Sequence, residues 1–331
     1  MRKTLLNLLQ ILIGISIIVA VFYFYGFNKT LEVVRNIYLP YFFIGFFFYI
    51  IRNLMGTWRM QIILENFEYN ISFLSVFKAH MGGIITSEFT PSRTGYFYAS
   101  LILKRNDNIP FEVGLSSVIS SNVLEFTFKV VGVFLGIIYL IWVLKPLFSI
   151  EVYVLLVFIA LLMLIITIIL ILALWWEKAS NIIPIFEKVP YLNTVLKKIK
   201  EVQSESKKIK PILWKIIVIS LIIWGIKGIT WLFFFFSLGI YEISYFECML
   251  LQPLVSAFSF IPLFPSGIGI QEIGIIFILG IFNISPPQAI AYDILLRSMF
   301  LFNLLGIFFV LSVIKSSNAK DEMIQKKLME E

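Results

Sequence analysis

The chain has 331 residues, 60% of them hydrophobic and 14% charged, with a mean hydropathy of +0.94 and a formal net charge of +7. A soluble domain at that composition would lack the polar surface that water demands, so the chain is read as one integral membrane domain, residues 1–331. Its apolar runs are long rather than short and alternating, which selects helices over a strand barrel.

The first run, about Leu5 to Tyr25, follows Arg2 and Lys3 as a signal peptide would. It lacks a small-residue cleavage site and is followed by further spans, so it is expected to stay as a first transmembrane helix. A short charged segment (Lys29, Glu32, Arg35) leads to a second span, about Leu39 to Thr57. The region from about Ile71 to Leu103 contains Gly82-Gly83 and no clean twenty-residue apolar helix. Two short helices forming a re-entrant hairpin are expected there. Long spans follow at about Val113 to Leu144 and Val152 to Trp175.

Residues 177–210 carry eight Lys against four Glu, with Leu192, Val195, Leu196, Ile199 and Val202 at helical spacing. That pattern predicts a basic amphipathic helix along the membrane surface, with a solvated linker as the alternative. The pattern of the first half then returns. A span at about Ile212 to Phe236 precedes a broken region at about Cys248 to Phe282, and a last span follows at about Ala289 to Ile314. The expected fold is all-α, with about six full spans and four short helices. Residues 39–144 and 212–314 form two repeats of inverted topology, each with a re-entrant helix hairpin. Lysine bias places the termini and the 177–210 segment in the cytoplasm, and the turn with Glu242 and Glu247 outside.

Each broken region contains Pro-Ser-x-x-Gly, as Pro91-Ser92-Arg93-Thr94-Gly95 and as Pro265-Ser266-Gly267-Ile268-Gly269. Interrupted segments at matching places in two halves point to the working centre of a transporter. Proline fits the first turn of a helix, and Ser92 or Ser266 fits its cap. Gly95, Gly267 and Gly269 permit close backbone approach. The N–H groups of a helix restarted inside the membrane favour an anion, and Arg93 adds a full positive charge. Ser92, Arg93, Gly95, Ser266, Gly267 and Gly269 are therefore candidate substrate contacts, against the alternative that both motifs are hinges or packing kinks.

The long span carries Glu125 and Lys129, and the last span carries Asp293 and Arg297, in both cases acid four residues before base. Such pairs share a helix face, and charges at membrane depth face an interior or an aqueous path. Glu88 and Glu272 add one carboxylate beside each motif. These six residues are candidates for charge coupling or cavity lining, or else for ion pairs that hold helices together. His80, near Lys78, is read as interfacial, and Arg52, Lys215 and Lys227 as snorkelling. Cys248 and His80 offer too little for a zinc cluster, so neither metal nor cofactor is expected, and no enzyme signature stands out. The basic segment is accounted for by topology, which leaves no reason to expect nucleic acid.

At these residues the chain resembles the flippase-like membrane family that includes the transmembrane half of lysylphosphatidylglycerol synthase. Pro265 to Glu272 resembles the family's Pro-Gly-Gly-x-Gly-x-Arg-Glu segment, and Asn283 to Arg297 its following turn and Arg-bearing helix. Thr90 to Gly95 is similar to its Pro-x-Arg-x-Gly segment, and Val123 to Phe126 to its Glu-bearing helix. Tyr96 stands where many relatives have Glu, Gln271 where many have Arg, and Ser266 where Gly is common, so headgroup preference is expected to differ. The resemblance implies a multi-pass plasma-membrane protein that moves an anionic phospholipid or a polyprenyl-linked sugar between leaflets. It implies neither the synthase activity nor its soluble domain. An intramembrane transferase acting on lipid-linked substrates, or a scaffold for a lipid-modifying enzyme, are the alternatives. The sequence leaves the oligomeric state open.

Overall fold

The computed structural model describes residues 16, 19–142, 150–175, 192–259 and 269–312, and every regular element among them is helical. Most of the expected first span lies outside the described residues. Residues 19–25, at its end, are helical, and a turn follows at Gly26. Then come α1 (Phe27–Arg35), α2 (Leu39–Asn66), α3 (Phe73–Glu88), a 3-10 turn (Pro91–Phe97), α4 (Tyr98–Asp107) and α5 (Phe111–Trp142). The apolar α6 (Ile150–Trp175) and the basic α7 (Leu192–Lys207) connect these to α8 (Leu213–Ser237), α9 (Tyr245–Ser259), α10 (Ile270–Ile281) and α11 (Pro286–Ser298). The last of these continues through the short α12 (Phe300–Asn303) as an apolar rod, Pro286–Ser312. Four helices, Leu39–Asn66, Phe111–Trp142, Lys210–Ser237 and Pro286–Ser312, are long and apolar enough to cross a bilayer. The protein is thus an all-α, multi-spanning helical bundle.

The helix boundaries follow ordinary capping chemistry. Ser72 caps α3 by accepting from the Ser75 N–H at 3.2 Å. At the start of α9, Ser244 and Glu247 accept each other's backbone N–H groups, at 2.7 and 3.2 Å. The exits of α4 and α10 share a device. Asn108 (φ 55°) and Asn283 (φ 58°) adopt the left-handed conformation that asparagine tolerates, and in each case a buried isoleucine follows, Ile109 or Ile284. Pro110 and Pro286 come next, just before or at the start of the following long helix.

Long helix, two short helices, long helix is therefore the order in both halves, and the halves interlock. The most extensive pairing joins α2 to α8. These helices run antiparallel, since Tyr38 donates its N–H to the Ser237 carbonyl at 2.8 Å while Arg59, in the second half of α2, reaches Ser220. Gly132 and Gly136 of α5 pack on Pro253 and Leu254 of α9, and Gly306 of the final rod packs on Met81 and Ile85 of α3. The end helix of each half thus lies against the first short helix of the other. Buried apolar side chains form one core beneath α5, α8, α9, α10 and α11, where Tyr292 stacks on Phe235 with ring centroids 4.0 Å apart. A second core lies beneath α2, α3, α4 and α5.

Two expectations change in detail. The second span does not stop near Thr57 but runs to Asn66, because Arg59 is buried against α8 rather than marking a solvated end. The basic helix packs on α5 and α6. Its Ser206 is fully buried, 2.7 Å from Ser116 Oγ and with its carbonyl accepting from Trp175 Nε1 at 3.0 Å. The part of that segment at 177–191 and the tail at 313–331 lie outside the described residues.

A Cβ on Gly136 would lie 2.8 Å from Leu254 Cδ1, whereas one on Gly280 would meet nothing within 4 Å. Gly136→Ala is expected to destabilise the bundle by about 1–3 kcal/mol through overpacking. Gly280→Ala, in open space on α10, should be neutral or stabilising by up to about 1 kcal/mol. Thermal unfolding in detergent, with both variants beside the wild type, checks the pair.

Candidate functional site

Charged side chains that hydropathy scatters along the sequence converge into two clusters. The first lies between α2, α5 and α8. Glu125 Oε1 is 2.6 Å from Lys227 Nζ and 3.7 Å from Lys129 Nζ, while Oε2 is 3.4 Å from Arg59 Nη2. Arg59 also donates from Nη1 to Ser220 Oγ at 2.8 Å, and its side chain is only 3% exposed. Three cations thus surround one carboxylate, beside a narrow cavity with room for about one water molecule. Further polar contacts lie along α2 toward the final rod. Arg52 lies over the Tyr49 ring at 4.4 Å and donates to Asn53 at 3.1 Å, and the Tyr49 hydroxyl donates to Asn303 at 2.6 Å.

The second cluster joins α10 to α11 within the second half. Arg297 donates from Nε to Asp293 Oδ2 at 2.7 Å and from Nη2 to Glu272 Oε1. Gln271 donates to the other Asp293 oxygen at 2.9 Å. Glu272 Oε2 turns back to accept the Gly269 N–H at 2.7 Å. Gly269 holds φ at +89°, a conformation that favours glycine, and so closes the start of α10. This cluster has two carboxylates for one guanidinium, opposite in balance to the first.

Both sequence-level acid–base pairs therefore form, but each recruits a further partner. Glu272 joins the Asp293–Arg297 pair, and Lys227 and Arg59 join Glu125–Lys129. The reading of Lys227 as snorkelling is corrected: it is 8% exposed and bonded to Glu125. His80 is likewise not interfacial. It is buried on α3, its Nδ1 pairs with the Tyr96 hydroxyl, and its ring lies against Gly56 of α2. Lys215 is exposed, as snorkelling requires. Arg59 follows the expected end of the second span, so hydropathy does not single it out. The signal that finds it is helical spacing, since Tyr49, Asn53, Gly56, Arg59 and Ile63 recur every three or four residues on one buried face.

At the first broken segment the helix restarts at Pro91 as a 3-10 turn, with Thr90 rather than Ser92 in the extended capping position. Pro91, Ser92 and Arg93 are described in their backbone only. The Gly95 N–H donates to Thr90 Oγ1 and its carbonyl accepts from Thr86 Oγ1, both at 2.6 Å. Its missing side chain makes room for the Thr86 carbonyl, so this glycine serves a close backbone crossing. Glu88 is the half-buried last residue of α3. Ser266 and Gly267 lie outside the described residues, and Gly269 is held by Glu272. The Gly95 and Gly269 amides are thus bonded within the protein.

A family model for the lysylphosphatidylglycerol synthase transmembrane region matches residues 7–307, and the chain belongs to that family. No curated protein and no solved structure matches it. Membership makes this a membrane protein with a lipid-related, flippase-like role. The matched region is the transmembrane part, which leans toward transport over enzyme chemistry. Among the described residues no group of three or more His, Cys, Asp or Glu is placed to hold a metal ion.

Removing one partner from a buried ion pair leaves the other uncompensated. Glu272→Gln is therefore expected to cost about 3 kcal/mol. Combining it with Arg297→Gln should cost less than the sum of the single changes. A double-mutant cycle of thermal unfolding in detergent measures that coupling, and simple additivity would contradict the pairing.

Proposed function

We propose that this family member carries a lipid with an anionic phosphate headgroup, a phospholipid or a lipid-linked sugar, between leaflets of the plasma membrane. The observation that carries the reading is the pair of charge clusters inside an apolar bundle, one on the α2–α5–α8 seam and one at the α10–α11 junction. Charges at membrane depth are costly and mark a polar path. In this reading the headgroup follows that path while the acyl tails stay in the bilayer, so only the polar part crosses a barrier. Arg93 and the backbone around the two motifs meet the phosphate first. Glu88, Glu125, Lys129, Glu272, Asp293 and Arg297 line the path and balance its charge.

The two halves, 39–144 and 212–314, are proposed to be inverted repeats. Shared element order, the matched Asn-Ile exits of α4 and α10, and the reciprocal glycine contacts support this. The pairs α3/α4 and α9/α10 are proposed to be re-entrant hairpins. Their helices of 16, 10, 15 and 12 residues are each about 15–24 Å long, short of the ~30 Å hydrocarbon layer. Both termini and α7 face the cytoplasm in this arrangement.

In sealed proteoliposomes the protein should accelerate exchange of labelled phospholipids in a headgroup-dependent way. Arg93→Ala should slow exchange of anionic headgroups about tenfold or more with little loss of fold. Equal rates in that variant, or no exchange of any lipid by correctly inserted protein, would sink the reading. Cysteine accessibility labelling should place position 208 and position 242 on opposite sides of the membrane, and labelling on one side would exclude the inverted arrangement.

A further inference from the structure

Among the described residues, cations outnumber carboxylates around the cavity beside Glu125. Its lining includes Arg59, Lys129, Lys227, Ser220, Trp224 and Glu125. Glu125 is the one carboxylate among the described lining residues, and both of its oxygens already face cations. Arg59 is 3% exposed, and its Nε is buried without a hydrogen-bond partner. An unpaired buried donor costs about 1–3 kcal/mol, and more on a charged group. Excess cationic charge between apolar helices adds to that cost. A water molecule would satisfy the Nε–H and leave the charge. A small anion does both.

We propose that this cavity binds a monovalent inorganic anion of halide size, held by Arg59 and Lys227 with Lys129 at its edge. Size argues for a halide over an oxyanion, because the space holds about one water molecule. Apolar and aromatic walls at Phe128, Ile223 and Trp224 suit a weakly hydrated ion. The site joins α2 and α5 of one half to α8 of the other, so an anion there would strengthen the junction between halves. This inference goes beyond the lipid reading and does not depend on it.

Trp224 supplies the probe. Purified protein in halide-free gluconate buffer is titrated with bromide and iodide while tryptophan fluorescence and thermal unfolding are followed. The expected result is a saturable component of quenching that disappears in Trp224→Phe, together with an unfolding temperature that rises with halide by mass action. Arg59→Gln should weaken halide affinity about tenfold or more, since a charged donor is lost. Lys227→Gln provides the same test should Arg59→Gln fail to fold. Quenching that is linear and identical in wild type and Trp224→Phe, with no halide-specific stabilisation, would overturn the proposal in favour of a water-filled cavity. Stabilisation by phosphate or sulfate and not by halide would overturn it as well. Neither readout requires lipid movement, so failed translocation with intact halide binding would count against the transport reading alone.

Discussion

The structure depends on how charge is held inside a hydrocarbon-like interior. Lipid offers nothing to a buried cation, so each must find its partner within the bundle. Glu125 answers for three at once, and those three come from α2, α5 and α8. Apolar surface packs in many orientations, but the contacts of Arg59 and Lys227 to one carboxylate fix how these helices meet. The ion cluster is then less a source of net stability than a specification of register, because desolvation offsets most of the Coulombic gain. The α2–α8 contact illustrates the division of labour. Phe42 stacks on Phe234 and supplies burial, while Arg59 on Ser220 sets the axial position.

Helix content and the approximate spans were legible because hydropathy and length decide them locally. Charge pairing was legible only where both partners lie on one helix, as with Glu125–Lys129 and Asp293–Arg297. The partners that complete each cluster are distant in sequence, and four-residue spacing carries no information about them. Lys227 reads as snorkelling for the same reason. Snorkelling is the default for a lysine whose surroundings are unknown, and its acid lies 102 residues away. His80 was misread because its hydroxyl partner sits beyond a broken helix.

The broken segments show a different limit. A proline, a small cap residue and a glycine do announce a restarted helix, and one begins at Pro91 and another just after Gly269. What the motif does not announce is how its amides are used. Glu272 is three residues past Gly269, the spacing at which a side chain folds back on a helix start. Thr90 does the equivalent for Gly95 from the other side. With these donors engaged, the unbalanced positive charge of the described interior lies on side chains between α2, α5 and α8.

The two clusters also differ in what relative motion does to them. Glu272, Asp293 and Arg297 all belong to the second half, on adjacent helices, and Glu272 is further tied to the start of its own helix. Movement of one half against the other leaves those distances unchanged. Glu125, Lys129 and Arg59 belong to the first half, and Lys227 to the second. The Lys227–Glu125 bond is thus one that crosses between the halves. Whatever charge enters the neighbouring cavity, which Lys227 and Glu125 both line, acts directly on that bond.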